Sequence, residues 1–426
     1  MLSAGERQYE DWSAAYRLFE NARIDTEALF TPAIDRIVRR QTGDEPVYAM
    51  MDDTLIRKRG KKVHGASWKR DPLGPPFHTN FVWGQRYLQI SAAMPDGEVH
   101  GRARGIPVDF HHAPVPNKPR KQAPKDEWVA YDKAREACKI SALGAERLRA
   151  LRDNVPREKT IICAVDGGFT NSTVLRNLPE NVVLVGRIRK DARLFDVPPE
   201  ETVRRGRKRY YGNALPTPEH IRQDESIPWE EVTAFAAGAC HKFQVKSLPA
   251  VRWKATGDRD IRLLVIRPLA YRPRKGAKLL YRDPAYLICT DPLLPLAKVI
   301  QAYLWRWEIE LNFRDEKTVL GVGHAQVRVP AAVRSVPALI VASYAFLLLA
   351  ASSGLQQCPR LPSPKWYPRK SSDRCSTQEI LAFFRAQLWR IAFDSNKTHF
   401  VSSFRSHSNH SFFHDSLHSA VCFARF

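Results

Sequence analysis

The chain of 426 residues is long enough for two or three domains with a sizeable core, and its formal net charge is +22. Because 67 basic residues outnumber 45 acidic ones along the whole length, we expect a polyanionic partner, either a nucleic acid or an anionic membrane surface. The seven cysteines form no C-x-x-C pair, which argues against a disulfide framework or a structural zinc site and for a reducing cytoplasm.

The first half of the chain predicts an α/β order. Residues 8–40 have helical periodicity, and residues 46–54 predict a short apolar strand that ends in Asp52 and Asp53. The further predicted elements are strands over 81–94 and 105–111, one long charged helix over 127–152, an apolar strand that stops at Asp166, a short helix over 173–178 and a strand over 182–188. Three strands followed by alternating helices and strands are typical of an α/β sheet.

The second half begins with a change of composition. Residues 190–292 are rich in proline and arginine and contain strand-like runs, which predict a β-rich insertion before a helix around Tyr303. These runs are residues 242–255, 261–271 and 285–290. The apolar segment 336–351 is shorter than the ~20 residues of a bilayer span and contains Pro337, so a buried core helix is favoured over a membrane helix.

These patterns divide the chain into five parts. We expect a helical N-terminal segment at 1–45, the first part of an α/β core at 46–189, the β-rich insertion at 190–292, the completion of the core at 293–352, and a C-terminal segment at 353–426. Five of the thirteen histidines follow Asn396 without metal-ligand spacing, so a low-order tail is favoured there over a metal site.

A tetrad of polar residues is the most informative motif. Tyr303, Arg306, Glu310 and Lys317 follow the pattern Y-x2-R-x3-E-x6-K. On one continuous helix, steps of three, four and seven residues place all four side chains on one face. A carboxylate flanked by cations suits a site that holds both a divalent metal and a phosphodiester. The alternative interpretation is a packed tyrosine ring beside a surface Arg306–Glu310 ion pair.

Two tryptophans lie within the same run. Trp305 and Trp307 are predicted to pack this helix onto the core. Stacking on a base flipped out of the duplex is the alternative role for an aromatic ring, and Trp229 and Trp253 are further candidates for it.

Acidic residues occur where two predicted strands end. Asp53, with its neighbour Asp52, closes the first strand, and Asp166 closes a later one, while Glu310 lies on the basic helix. A strand end fixes a carboxylate on rigid backbone, as two-metal phosphoryl transfer requires, with the ions ~3.5–4 Å apart. A single acid at a strand end is more often a cap or a turn; the three acids together with the tetrad favour a metal site.

The sequence resembles a known family at these positions. Asp52-Asp53-Thr54 followed by a basic glycine-containing loop, the strand ending at Asp166, and the Y-R-E-K tetrad are similar to bacterial insertion-sequence transposases of the DDE superfamily, in the group with the Y-R-E-K signature. The order of elements from about residue 47 to 320 is also similar. The resemblance implies an RNase H-like (retroviral-integrase-like) catalytic core with a β-rich insertion between the second aspartate and the glutamate.

The resemblance also implies roles for individual residues. Asp53, Asp166 and Glu310 would be the catalytic, metal-binding triad, with Asp53 preferred to Asp52 because the family's ligand directly precedes the threonine. The triad would hold two Mg²⁺ ions, for which Mn²⁺ can substitute. Tyr303, Arg306 and Lys317 would hold DNA phosphates near the cleaved end.

Two basic runs are candidate phosphate contacts that position a duplex without reading its sequence. Each is as readily explained by a solvated charged loop. The residues are Arg57, Lys58, Arg59, Lys61 and Lys62 in the first run and Arg207, Lys208 and Arg209 in the second.

The expected activity is transposition. By resemblance, the partners would be double-stranded DNA at the inverted-repeat ends and at the target, with a homodimer in the synaptic complex, in the cytoplasm of a bacterium and at its nucleoid. Glycine-rich nucleotide cradles are absent from the sequence, so no nucleotide cofactor is expected. A basic amphipathic anchor is absent as well, so no membrane partner is expected. Two alternatives stay open: an RNase H-like nuclease without strand transfer, and a catalytically inactive DNA-binding descendant.

Overall fold

A computed structural model describes most of the chain. The described residues are 11, 13–41, 43–71, 74–75, 77–95, 101–199, 209–272, 276–354, 374–385 and 387.

The described residues form nine labelled helices and thirteen strands. The helices are α1 (Ser13–Glu20), α2 (Thr31–Arg40), α3 (Lys125–Ala137), α4 (Ile140–Asp153), α5 (Ser172–Leu175), α6 (Pro218–Gln223), α7 (Leu296–Trp305), α8 (Trp307–Thr318) and α9 (Pro330–Gly354). The strands are β1 (Val47–Arg57), β2 (Ser67–Arg70), β3 (Phe81–Pro95), β4 (Ala103–His112), β5 (Ile161–Val165), β6 (Val182–Arg187), β7 (Leu194–Phe195), β8 (Glu230–Ala236), β9 (Ala239–Trp253), β10 (Asp260–Ile266), β11 (Ala270–Tyr271), β12 (Leu280–Tyr281) and β13 (Ala285–Cys289). Short 3₁₀ turns cover Ala28–Phe30 and Lys254–Thr256, and residues 377–385 are helical.

The centre of the molecule is a mixed sheet. Strand β1 pairs antiparallel with β3 and parallel with β5, and β5 pairs parallel with β6. Strand β4 pairs antiparallel with β3. The resulting order β4-β3-β1-β5-β6, with three antiparallel strands followed by two parallel ones, is compatible with the predicted RNase H-like core.

The strands of the predicted insertion continue this same sheet. Strand β13 pairs with β6, β10 with β13, and β9 with β10, so the sheet extends beyond the core without interruption. The predicted strands over 242–255 and 285–290 correspond to β9 and β13. The predicted run to residue 271 is wrong at its end, because β10 stops at Ile266 shortly before Pro268, which cannot donate a ladder hydrogen bond.

The predicted helix over 127–152 is wrong as one element. The chain forms α3 and α4, separated by Cys138 and Lys139, and Lys139 adopts an extended conformation with ψ of 134°. The two helices differ in burial: α3 carries exposed and half-buried side chains throughout, whereas α4 buries Leu148 and Leu151. Packing of the apolar face of α4 against the sheet therefore fixes the position of α4 alone.

Helix α9 packs against β4 in the core. Its buried side chains include Val341, Tyr344 and Leu348. Among the described residues, the single helix long and apolar enough to cross a membrane, by length and composition only, is Pro330–Ser352, and half of its apolar window is buried inside the protein. This packing agrees with the predicted core helix.

Helices cover both faces of the sheet. Alternate residues of β5 face opposite sides, so Ile161 and Cys163 pack with the cluster that contains α4 and α9, and Ile162 packs with Val299 of α7. A strand covered on both faces must be apolar throughout, as β5 is. The sheet is therefore a rigid platform, and the residues that follow its parallel strands have fixed positions.

Candidate catalytic site

The two acids of the first strand lie inside β1. The strand continues to Arg57, so the prediction that it ends at the acids is wrong. Consecutive side chains of a strand point to opposite faces, and each acid has its own arginine partner. The Asp52 carboxylate accepts a hydrogen bond from Nη1 of Arg306 at 3.1 Å, and the Asp53 carboxylate accepts one from Nε of Arg86 at 2.7 Å.

Asp166 follows β5 directly and comes next to these acids. Because Met51 is in register with Val165 in the parallel β1–β5 pair, Asp166, the first residue after β5, lies at the level of Asp52 in β1. The Asp166 carboxylate accepts hydrogen bonds from the backbone N–H groups of Gly168 at 2.8 Å and Phe169 at 3.3 Å. These bonds fix its orientation at the edge of the sheet.

The electrostatics of the carboxylates reflect their closeness. Burial raises the pKa of Asp52, and the charge of Asp166 raises it further, to about 7, against the opposing effect of Arg306. Burial also raises the pKa of Asp53; the Arg86 guanidinium opposes this shift, and Asp166 adds to it. The charge of Asp166 therefore acts on both acids of the doublet.

Glu310 lies half-buried on α8, which packs on the same sheet through Ile309 and Phe313. Lys317, seven residues further along α8, interacts electrostatically both with Glu310 and with Asp53 of β1. Burial lowers the pKa of Lys317, and the nearby charges of Glu316, Glu310 and, more weakly, Asp53 oppose this shift. The amine of Lys317 therefore lies within the electrostatic field of both Glu310 and Asp53.

The donor chemistry suits a hard divalent cation, although a complete ligand set is not assembled. Carboxylate oxygens are the ligands that Mg²⁺ takes, and the carboxylates of Asp52 and Asp53 both lie within the electrostatic field of Asp166. Among the described residues, however, no group of three or more His, Cys, Asp or Glu side chains is placed to hold a metal ion. The residue types nevertheless fit the implied metal.

The prediction that the tetrad lies on one continuous helix is wrong. The helix is interrupted at Arg306. The N–H of Arg306 donates a hydrogen bond to the carbonyl of Tyr303, and the N–H of Ile309 donates one to the carbonyl of Arg306, each at 3.2 Å. These three-residue bonds tighten the turn between α7 and α8. Two contacts anchor the turn on the sheet: the Arg306–Asp52 bond and a 2.8 Å hydrogen bond from the Trp305 indole to the carbonyl of Gly101.

The Tyr303 ring is half-buried against the core between α7 and the sheet, and the Arg306 guanidinium lies 6.0 Å from its centroid. The alternative of a packed ring is thus partly correct for Tyr303. The alternative Arg306–Glu310 ion pair is not what forms, since Arg306 binds Asp52.

The four candidate tryptophans have different environments. Trp305 packs edge-on against Tyr48 at 4.9 Å, as predicted, whereas Trp307 is 62% exposed, so its predicted core packing is wrong. Trp307 is the first residue of α8, directly after the turn at Arg306. Trp229 is partly buried beneath Lys246, whose Nζ lies 4.6 Å from the ring, and Trp253 is partly buried beside the core.

The first basic run has mixed roles. Lys58 donates to the backbone carbonyls of Gly323 at 3.0 Å and Ala325 at 3.1 Å, and burial lowers the pKa of its amine. Lys58 therefore braces the segment that follows α8. Arg57 pairs with Asp71 at 2.8 Å, while the remaining cations of the run, Arg59, Lys61 and Lys62, are exposed.

Only part of the second basic run can be placed. Arg207 and Lys208 lie outside the described residues, as does the tail after Asn396. Arg209 is exposed, and its Nε donates to the carbonyl of Tyr211 at 2.9 Å.

The sequence model of the DDE superfamily endonucleases matches residues 6–258. The chain belongs to this family. A search among curated proteins gives no match. Membership implies a metal-dependent nuclease or transposase that acts on DNA. The matched residues include Asp52, Asp53 and Asp166 and stop before the tetrad, so the Y-R-E-K group stays a prediction.

The structure adds two residues that the sequence reasoning had not assigned to the site of this DDE-family protein. Asp52 shares the edge with Asp166 and holds the tetrad arginine. The doublet of aspartates was the one signal that pointed to it. Arg86 lies on β3 and reaches Asp53 across the strand pair. No sequence pattern distinguishes it from other strand arginines, because its role depends on the β1–β3 register.

A groove of about 1030 Å³ is lined at one place by Gly167 and Thr170, which follow Asp166 in the chain. Its lining is mixed in charge, because Asp191 and Glu219 pair there with Arg189 and Arg222.

Proposed function

We propose that this DDE-family protein is a transposase that cleaves DNA at the ends of its insertion sequence and joins the freed 3′-OH ends to target DNA. The observation that carries the proposal is the register of β1 and β5, which supports one shared site for Asp166 and the aspartate doublet. Helix α8 crosses the same sheet with Glu310 and Lys317.

The residues of this chain have distinct roles in the proposed reaction. Asp166 and the doublet hold the metal, with Asp53 as the ligand implied by resemblance and Asp52 as a second candidate. Glu310, on α8, completes the ligand set. Bound Mg²⁺ supplies positive charge that stabilises the attacking and leaving oxygens of the phosphodiester. Arg306, Tyr303 and Lys317 hold DNA phosphates, for which Arg306 has to exchange its bond to Asp52.

The test combines a donor DNA that carries the gene with its native flanks, a supercoiled target plasmid, and purified protein with Mg²⁺ or Mn²⁺. We expect cleavage at the element ends followed by joined products with the wild type. Asp166→Asn and Glu310→Gln should abolish both steps while DNA binding stays within a few-fold. Asp52→Asn and Asp53→Asn are tested side by side. The variant that loses cleavage identifies which of the two aspartates is the metal ligand.

The same experiment separates the alternatives. Cleavage without joined products indicates a nuclease without strand transfer. Binding without cleavage in the wild type indicates an inactive descendant. Normal cleavage by Glu310→Gln would show that the assigned triad is wrong.

A further inference from the structure

A hairpin at one end of the sheet presents an exposed aromatic surface. Strand β2 pairs antiparallel with the start of β3, with Trp68 opposite Trp83 and Arg70 opposite Phe81. Directly paired residues point to the same side of a sheet, and so do residues two apart on one strand. Trp68, Trp83, Arg70 and Phe81 therefore form one continuous face, which we term the aromatic face.

The aromatic face is open to solvent. Trp68 is 68% exposed and Phe81 is 61% exposed, and the Trp68 and Trp83 rings meet edge-on with centroids 5.7 Å apart. The opposite side of the hairpin carries Lys69, which lies within the electrostatic field of Asp53 and Arg86. The side with the aromatic rings is the side to which Asp52 points, because Asp52 is in register with Gln89, six residues along β3 from Trp83.

Cations border the aromatic face. The Trp83 indole donates to the carbonyl of Gly60 at 3.0 Å, and the N–H of Lys58 donates to the carbonyl of Trp83 at 2.9 Å. These bonds hold the loop that carries the exposed Arg59, Lys61 and Lys62 beside the rings. Arg70 lies within the aromatic face itself.

The mixture of rings and cations indicates the kind of partner. The core of a protein–protein contact is depleted of charge, whereas surfaces that bind single-stranded nucleic acid combine exposed aromatic rings with a basic surround. Charge complementarity therefore favours a polyanion with flat, stackable groups over a second copy of this chain.

The position of the aromatic face suits a strand that has passed the aspartates. Asp53 is in register with Leu88, five residues along β3 from Trp83. At about 3.4 Å per residue, the rings begin about 17 Å from the register of Asp53.

We propose that the aromatic face binds unpaired nucleotides of DNA by stacking, with the adjacent loop holding their phosphates. The site would hold a single-stranded segment next to the DNA end under cleavage. This inference rests on the proposed function in that DNA is the substrate, but it does not depend on which carboxylates hold the metal.

The test uses the inactive variant Asp166→Asn as background, so that DNA is bound and not cut. Its ligands are a blunt duplex and the same duplex with a single-stranded tail of several nucleotides that contains 2-aminopurine. Without the hairpin substitutions, we expect binding to favour the tailed duplex by about tenfold, with quenching of 2-aminopurine on stacking.

Substitutions in the aromatic face should weaken binding of the single-stranded tail and leave binding of the duplex unchanged. Trp68→Leu and Phe81→Leu should each abolish the preference and the quenching, leaving affinity for the blunt duplex unchanged. Trp68→Phe should retain both, because it keeps a ring. Tyr16→Leu removes a ring that is 61% exposed on α1 and serves as the control, with no effect expected.

Three outcomes would contradict the inference. Equal affinity for tailed and blunt duplex would overturn it and leave the proposed function in place. If Trp68→Leu and Phe81→Leu change the sedimentation of the protein but not its binding to the tail, the aromatic face is a contact between copies of the chain. Failure to bind either DNA would overturn the proposed function as well.

Discussion

Asp52→Asn should change how the stability of the protein depends on pH. The pKa of Asp52 in the folded chain is raised to about 7 by burial and by the charge of Asp166. In the unfolded chain this carboxyl titrates near ~3.9. A group whose pKa is raised on folding contributes stability below its unfolded pKa, and this contribution is lost as the pH rises through the folded pKa.

The magnitude follows from these two values. Between pH 5 and pH 8, titration of Asp52 should lower the free energy of unfolding of the wild type by about 2.5 kcal/mol. The asparagine side chain of the variant would not titrate, yet its oxygen still accepts a hydrogen bond from Arg306. From pH 5 to pH 8, the free energy of unfolding of the variant should therefore rise by about 2.5 kcal/mol relative to that of the wild type.

The assay is urea unfolding at pH 5, 6, 7 and 8 in the presence of EDTA, which removes bound divalent metal. Asp44→Asn removes the same charge at an exposed position and corrects for the change in net charge. If the wild-type and Asp52→Asn curves stay parallel from pH 5 to pH 8, Asp52 does not share the site with Asp166. The assignment of Asp52 to the site would then be withdrawn.

Two further predictions concern buried charged groups. Arg147 is 5% exposed and holds Asp109 through two bonds of 2.8 and 2.9 Å, so Asp109→Ala should leave this buried guanidinium with Glu27, itself 60% exposed, as its carboxylate partner and cost ~3–5 kcal/mol in urea unfolding. The exposed pair made by Glu231 is the control, and Glu231→Ala should cost ~1 kcal/mol or less; equal losses would refute the argument. Burial raises the pKa of Glu316 to about 8. Between pH 6 and pH 8.5, the free energy of unfolding of Glu316→Gln should therefore rise by about 2.5 kcal/mol relative to that of the wild type. A difference that stays constant over this range would show that Glu316 is not buried as an acid.

Much of the sheet could be predicted from the sequence. Strands β1, β3, β5 and β6 follow from runs of apolar and β-branched residues, because a strand buried on both faces has to be apolar along its length. The prediction of Asp166 as a site residue rests on the same pattern, since it is the first polar residue after such a run.

The breaks in helices could not be predicted in this way. Helical periodicity continues through Lys139 and through Arg306, although the helices are interrupted at both positions. The interruption at Arg306 lies beside contacts with Asp52 and Gly101, which are about 200 residues or more away in the sequence. Local propensity contains no information about such partners.

The sequence by itself determined the polyanionic partner, the α/β class and the residue types of the site, because charge, periodicity and the chemistry of side chains are local properties. The tertiary structure decided which of these residues meet. The register of β1 with β5 brings Asp52 and Asp166 together, and the β1–β3 pairing supplies Arg86 to Asp53. Strand register depends on packing over the whole sheet, since a shift of one residue would move every side chain to the opposite face.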